Sequence, residues 1–268
     1  MRVAVVGHVE WMEFVRVPHV PVAGEIIHGE PLLHVPAGGG AVAAVQLARW
    51  AGDCVFFTAL GDDELGHRAA DGLRARGVSV HAAFRPIPQR RGLSLIDQHR
   101  ERTLLILGQR MNPHATDALP WDELATVDAV YVTGGDRGAI QHARRARVMV
   151  ATSRIQPLLG DAAISLDALV GSANDPMEHY TGGLDAKVIV RTDGARGGSF
   201  QIGDAIAARP INRYAAVPFE VTGDTYGAGD TFAAGLTYAL GEGRAPGEAC
   251  EAAARRATEV LDVIGPYR

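Results

Sequence analysis

The chain has 268 residues, 47% of them hydrophobic, and a formal net charge of −5. That length suits one large α/β domain, or one domain with a small appendage, and the apolar content is ample for a packed core. A negative net charge without a basic stripe argues against nucleic acid as a partner.

The two cysteines, Cys54 and Cys250, are far apart in the sequence and lie in apolar or alanine-rich segments. A structural disulfide is therefore not expected, and the reducing cytosol is the favoured compartment. A strand-like run starts at Arg2, which leaves no room for a signal peptide, and no apolar run is long enough to span a bilayer. We expect a soluble, cytoplasmic protein with no membrane partner.

Apolar strands alternate with alanine- and leucine-rich helices along the chain. The β-branched run at residues 3–6 ends at Gly7 and is typical of a buried central strand. Further strands are expected at 54–59, 129–133, 148–151, 168–170 and 187–192, and helices at 39–51, 65–76, 228–240 and 246–263. The alternation predicts a mostly parallel central sheet with helices on both faces.

Two segments interrupt this alternation. Residues 13–33 alternate valines with polar residues and contain three prolines, which favours exposed, edge-like strands. Residues 93–96 and 103–107, separated by a charged stretch, predict a hairpin. Together they predict a small separate sheet, and two interpretations stay open: a lid over a site, or a peripheral sheet with only a stabilising role.

The most informative motif is the run DTYGAGD at residues 224–230, which continues into an apolar segment with helical spacing. The small residues let backbone N–H groups approach an anion, and the helix that follows points its positive end at the same place. Asp230 falls in the first helical turn, where a carboxylate can accept a proton from a hydroxyl. An anion cradle beside a carboxylate base is what phosphoryl transfer to an alcohol requires.

This motif, followed by Thr231 and Phe232, resembles the C-terminal signature of the PfkB, or ribokinase-like, family of sugar and nucleoside kinases. Supporting marks occur in the family's order at Gly7, Gly24-Glu25, residues 37–40, residues 61–66 and Thr192-x-Gly194. The resemblance implies a single ribokinase-like kinase domain over residues 1–268, with lid strands inserted at about 13–33 and 93–107. It also implies ATP as donor, Mg²⁺ as cofactor and a small sugar or nucleoside as acceptor.

The resemblance assigns roles within the motif. Asp230 is the expected base, and Gly227, Ala228 and Gly229 present N–H groups to the charge that develops on the transferred phosphate. Asp224 either orients the loop or contributes to a monovalent-cation site for K⁺.

On the nucleotide side, Thr225 belongs to the same loop, and Thr192 and Gly194 resemble the turn that contacts ATP in relatives. The alternative for that turn is a tight hairpin in which glycine only supplies positive φ. The family's Mg²⁺-organising Asn-x-x-Glu motif is imperfect here, because Glu178 follows Asn174 by four positions rather than three. Asn174, Asp175 and Glu178 are candidates for the metal, with capping of a helix start as the alternative.

The acceptor side departs from the family. Met12 stands where relatives carry a sugar-binding aspartate, and Val42 stands where they carry an asparagine beyond the glycine pair Gly38-Gly39. Glu10 shares a strand face with Met12, so it is the candidate substitute carboxylate. These losses predict a less polar pocket and favour a nucleoside or modified sugar over ribose or fructose.

Two further hypotheses complete the analysis. A lid sheet presents unpaired edges, so a homodimer through the lid is one arrangement that would cover them. The competing functional hypothesis is a ligand-binding protein that kept the fold and lost turnover, and the retained Asp230 argues against it.

Overall fold

The computed structural model describes residues 1–203 and 210–268. Its strands are β1 Val3–Val6, β2 Glu10–Arg16, β3 Glu30–Ala37, β4 Cys54–Gly61, β5 Val78–Arg85, β6 Arg91–Ile96, β7 Arg102–Leu107, β8 Ala129–Val132, β9 Val148–Thr152, β10 Ser165–Leu166, β11 Ala168–Ser172, β12 Asp185–Ala186, β13 Val188–Thr192, β14 Gly198–Ile202 and β15 Asn212–Tyr214. Its α-helices are α1 Gly39–Ala51, α2 Glu64–Arg74, α3 Arg137–Ala143, α4 Gln156–Ala162, α5 Ala228–Gly241 and α6 Pro246–Ala257.

The main sheet has nine strands in the order β15-β14-β13-β11-β9-β8-β1-β4-β5. The seven strands from β13 to β5 are parallel, and β14 and β15 add an antiparallel edge. The expected mostly parallel sheet is confirmed. Sequence analysis did not identify β5, β14 or β15; β5 and β15 are the two edges of the sheet, and β14 pairs with the edge strand β15.

Helices cover both faces of this sheet. Val3 and Val5 of β1 belong to an apolar cluster built with residues of α1, α5 and α6. Their neighbours Ala4 and Val6 belong to a second cluster, which includes residues of α3 and α4. Successive side chains of a strand point to opposite faces, so this division places β1 in the middle layer of a three-layer structure.

A second sheet, which we call the lid, has the strand order β3-β2-β6-β7. Strands β2 and β3 pair antiparallel, β2 and β6 parallel, and β6 and β7 antiparallel. The lid strands occupy residues 10–16, 30–37, 91–96 and 102–107, whereas the sequence placed them within about 13–33 and 93–107. Strand β2 begins four residues after β1 ends, so the lid stands over the carboxyl end of the central strand.

The last helix is shorter than expected. Residues 246–263 were predicted to be helical, but α6 ends at Ala257 and a 3₁₀ turn follows at Thr258–Val260. The remaining segment packs against the lid, where the Tyr267 hydroxyl donates to Pro36 O at 2.7 Å. Gly265 has a positive φ of 83° and precedes Pro266, a pair that does not continue a helix.

Over the described ranges, 1–203 and 210–268, no helix is both long and apolar enough to cross a membrane. Cys54 and Cys250 are buried free thiols, as expected.

Candidate active site

The signature loop and the start of α5 lie between the main sheet and the lid. Gly227, the residue before α5, has a φ of 79°, which side-chain-bearing residues rarely adopt. A Cβ at Gly227 would also come within 3.0 Å of Pro266 and 3.1 Å of Val42. This glycine is therefore required by the turn itself.

Asp224 holds the loop in place. It is 1% exposed, and its two carboxylate oxygens accept the backbone N–H groups of Tyr226 at 2.6 Å and Gly265 at 2.9 Å. These bonds support the loop-orienting role. A monovalent cation at this carboxylate would have to share oxygens that already accept hydrogen bonds, and Thr225, next to it, is exposed.

Tyr226 joins the loop to the lid. Its hydroxyl accepts the N–H of Gly38 at 3.1 Å, and its ring meets Phe14 of β2 edge-on at 5.1 Å. The guanidinium of Arg102, at the start of β7, lies 5.3 Å from the ring centroid. The loop, the glycine pair before α1 and two lid strands therefore meet at one side chain.

Asp230 lies in the first turn of α5 and is partly buried. A Cβ on Gly39 would come within 2.8 Å of Asp230 Oδ1, so the carboxylate faces the start of α1. Burial, together with the nearby carboxylates of Glu178 and Glu10, raises the pKa of Asp230 from its ordinary 3.8 to about 7. A carboxylate with such a pKa is a stronger base than an exposed one.

The backbone around Asp230 leaves space for a ligand. A Cβ on Gly229 would meet no atom within 4 Å, so nothing in the described protein requires glycine there. The first N–H groups of a helix have no intrahelical acceptor, which leaves those of Gly229 and Asp230 available to an anion. The N–H of Ala228 is partly engaged, since it donates to Thr225 O at 3.4 Å.

Glu10, Gly38 and Gly39, which the sequence analysis assigned to the acceptor, come together at one end of the cleft. Gly38 has a φ of 84°, and a Cβ there would approach Glu10 Cγ at 3.2 Å and His8 Nε2 at 3.3 Å. A Cβ on Gly39 would also lie 3.7 Å from His8 Cε1. His8 is buried, and burial, with the charges of Arg110 and Arg90, keeps the pKa of His8 well below its ordinary value.

Two arginines that the sequence analysis missed contact the side chains at this end of the cleft. Arg110 Nη2 contacts His8 Nδ1 at 2.7 Å and donates to Thr133 O at 3.2 Å. Arg90 Nε donates to Glu10 Oε1 at 2.8 Å. Both arginines are outside any motif, one just before β6 and one just after β7, so no local pattern marked them.

Met12 and Val42 lie beneath the cleft in an apolar cluster with Phe14 and Tyr226. Both side chains are fully buried. Contact of either with a substrate stays a prediction, and it would require the cluster to open.

A less polar acceptor pocket stays a prediction. The same end of the cleft also carries the polar side chains of His8, Arg90 and Arg110.

The nucleotide-side residues lie at the carboxyl edge of the same sheet. Thr192 ends β13 beside Ser172 of β11, and its hydroxyl is 3.5 Å from Gly171 O. Gly194 follows in a 3₁₀ turn with a φ of 54° and open space at its Cβ position. The turn is thus tight and accessible, and nucleotide contact by these residues stays a prediction.

The three metal candidates also lie at this edge. Arg154 forms ion pairs with Asp175 and with Glu178, the latter at 2.7 Å. Glu178 Oε2 also accepts the N–H of Ser172 at 2.7 Å, and Asp175 caps the N–H of Met177 at 2.9 Å.

Metal contact by Asn174, Asp175 and Glu178 stays a prediction. Asn174 donates to Asp193 at 3.1 Å, away from the Arg154 cluster. Within residues 1–203 and 210–268, no group of three or more His, Cys, Asp or Glu side chains is arranged to hold a metal ion. The donors fit a magnesium ion that arrives with a nucleotide and is contacted through water better than one bound by the protein alone.

Comparisons with known proteins agree with this geometry. The family model described as pfkB family carbohydrate kinase matches residues 1–179 and 165–267. A ribokinase of Dictyostelium discoideum is 26% identical over 109 residues, which is 40% of this chain and 34% of that protein. The matched segment thus spans about a third of that relative.

Solved structures share the whole architecture. The Arabidopsis thaliana ribokinase complexed with ribose and ATP has a TM-score of 0.74 and 20% identity, covering 98% of this chain and 93% of that one. The adenosine kinase of Sinorhizobium meliloti has a TM-score of 0.77 and 19% identity, covering 100% and 95%. At these identities the likeness establishes the fold, which is ribokinase-like with a small separate lid sheet.

Proposed function

The chain belongs to the pfkB family of carbohydrate kinases, and from that premise we propose that it transfers the γ-phosphoryl group of ATP to a hydroxyl of a small sugar or nucleoside-like acceptor. The observation that carries the proposal is Asp230, a carboxylate with a pKa of about 7 beside an open helix N-terminus.

Each part of this arrangement has a chemical task. An acceptor hydroxyl held against the Asp230 carboxylate would give its proton to it as it attacks phosphorus. The charge on the transferred group would meet the N–H groups at the start of α5, with Gly229 leaving room for the phosphate oxygens. Positioning and electrostatic stabilisation are the main requirements of phosphoryl transfer, and the loop supplies both.

ATP would bind at the carboxyl edge of β11 and β13, where Thr192 and Gly194 would contact it. Mg²⁺, if carried by ATP, would neutralise phosphate charge there, near the side of the cleft that holds Glu178 and Arg154. Asp224 and Thr225 would contribute by holding the loop that faces the phosphates.

The lid would exclude water from the reaction. Its inner face is apolar, with Met12, Phe14 and Ile96 buried in one cluster. Excluding water protects ATP from hydrolysis and strengthens every charge interaction at Asp230.

The outer strand of the lid supports a homodimer. Leu104, Leu105 and Leu107 of β7 are 42%, 52% and 46% exposed, and β7 is an edge strand. Pairing with a second lid would cover both the edge and the apolar side chains.

A cytoplasmic location is proposed as well, supported by the two free thiols.

A ligand-binding protein without turnover is the second candidate, because Arg154 occupies both carboxylates predicted for the metal. Binding alone, however, does not require a carboxylate of raised pKa at an anion site.

ATP consumption across sugars and nucleosides, with product detection by mass spectrometry, tests the proposal. At least one acceptor should be phosphorylated, and Asp230→Asn should lower kcat by about 10²-fold or more, since general base catalysis contributes about 10²–10⁴. Glu64→Gln, which alters an exposed first-turn carboxylate of α2, is the matched control and should keep wild-type kcat. Near-wild-type turnover by Asp230→Asn would overturn the assignment.

A further inference from the structure

Arg110 is close to the proposed base. Gly39 faces Asp230 Oδ1 on one side and His8 on the other, and Arg110 contacts the His8 ring at 2.7 Å. One histidine side chain therefore separates this guanidinium from the place where the acceptor hydroxyl would lie.

Arg110 has no direct ion-pair partner in the described ranges, although the carboxylates of Glu10 and Asp230 lie near enough to oppose the lowering of its pKa by burial. Arg90 is paired with Glu10, and Arg154 with Asp175 and Glu178. Arg110 forms no ion pair with any carboxylate in residues 1–203 and 210–268, and its Nε is buried without a hydrogen-bond partner there. Burial and the charge of Arg90 lower the pKa of Arg110, which reflects the cost of keeping this cation at the cleft.

A structural role accounts for only part of this group. The bonds to His8 and to Thr133 O use a single nitrogen, Nη2, of a guanidinium that carries five N–H donors. Arg110 is half-buried, so its charge is partly desolvated, and an anion that pairs with its unused donors would offset that cost. The planar fork of arginine matches the two oxygens of a carboxylate or phosphate.

We propose that the acceptor carries an anionic group, a phosphate ester or a carboxylate, and that Arg110 binds this group at the end of the pocket away from the reacting hydroxyl. Arg90 is the second cation of the subsite, with part of its charge already neutralised by Glu10. The inference rests on the kinase activity proposed above and narrows its substrate class.

The test compares acceptors that share a carbon skeleton. Wild-type kcat/KM is measured for neutral sugars and nucleosides, for the corresponding sugar monophosphates and for the corresponding sugar acids. One anionic set should exceed its neutral counterparts by about tenfold or more, because charge-assisted hydrogen bonds are about twice as strong as neutral ones. The set that is preferred identifies the anion.

The variants assign the effect to a residue. Arg110→Gln should lower kcat/KM for the preferred acceptor by about 10–100-fold, mainly through KM, and change that for the neutral counterpart by less than about threefold. Arg91→Gln is the matched control: Arg91 adjoins Arg90 in sequence but is exposed and pairs with Glu13, so both acceptors should keep wild-type values. Equal preference for neutral and anionic acceptors, or an equal loss for both in Arg110→Gln, would overturn the inference.

A binding measurement on the wild-type protein covers the case in which Arg110→Gln fails to fold. Calorimetric titration of sugar monophosphates and sugar acids without ATP should detect binding that weakens as salt rises, and no binding by either set would contradict the anion subsite. If the protein phosphorylated neutral acceptors only, the anion subsite would be refuted and the proposed kinase activity would stand. Salt-sensitive anion binding that persists with a saturating non-hydrolysable ATP analogue at the start of α5, but without transfer to any acceptor, would refute the kinase and leave the subsite.

Discussion

The ionised Asp230 carboxylate should lower the free energy of unfolding of the unliganded protein while serving as the catalytic base. Asp230→Asn should therefore raise stability and lower kcat. The pKa of Asp230 is raised from 3.8 to about 7, so the folded protein binds this proton more tightly than the unfolded chain does. Ionisation of Asp230 therefore destabilises the fold. The destabilisation is fully present above pH 7, diminishes as the pH falls from 7 towards 3.8, and is absent below 3.8.

The magnitude follows from the difference between the two pKa values. About three pH units correspond to about 4 kcal/mol at 1.36 kcal/mol per unit. Asp230 is only partly buried, so solvent screening reduces this to about 2 kcal/mol. Asparagine removes the charge at nearly constant shape, and a gain of that size should raise Tm by about 4–6 °C in a protein of this length.

Thermal unfolding of the unliganded wild type and Asp230→Asn at pH 8 and pH 5 is the assay. The variant should be more stable at pH 8, and the gain should shrink at pH 5, where the wild-type carboxylate is largely protonated. Glu64→Gln, on the exposed start of α2, should show no gain at either pH. A gain that is absent at pH 8, or equal at both values, would refute the assigned burial of charge at Asp230.

Three further outcomes are expected. The kcat/KM of the enzyme for its best acceptor should rise with pH with a midpoint near 7 and be about tenfold lower at pH 6 than its plateau, since the base must be ionised; a flat pH profile would exclude Asp230 as that base. Gly229→Val should abolish phosphoryl transfer with little change in Tm, because a Cβ there meets no protein atom within 4 Å, and a normal rate in this variant would mean that phosphate does not approach. Met12→Asp should lower the free energy of unfolding by about 3 kcal/mol or more in chemical denaturation, as it buries an unpaired carboxylate, whereas the exposed lid substitution Thr103→Asp should change it little.

Short-range chemistry made the signature loop predictable. The left-handed turn at Gly227 and the position of Asp230 in the first turn of α5 both follow from a few consecutive residues. Repeated strand–helix alternation likewise predicted the mostly parallel sheet, because buried strands carry a continuous apolar run.

Residues whose partners are distant in the sequence could not be predicted in the same way. Arg90 is 80 positions from Glu10 and Arg110 is 102 positions from His8, so neither arginine is marked by its neighbours in sequence. Met12 and Val42 were predicted to line the acceptor pocket, but only the folded packing reveals that both are sealed in an apolar cluster. The early end of α6 has the same origin, since the segment after it brings Tyr267 into a partly buried hydrogen bond with Pro36 of β3.

Tyr226 has a consequence for the energetics of opening. The lid cannot lift without separating Phe14 and Arg102 from a ring whose hydroxyl also holds Gly38, and that ring belongs to the loop that faces the phosphates. Lid closure and loop order are therefore linked equilibria. The coupling free energy between two such equilibria is reciprocal, so an acceptor that closes the lid and a nucleotide that orders the loop should each tighten the binding of the other by the same factor.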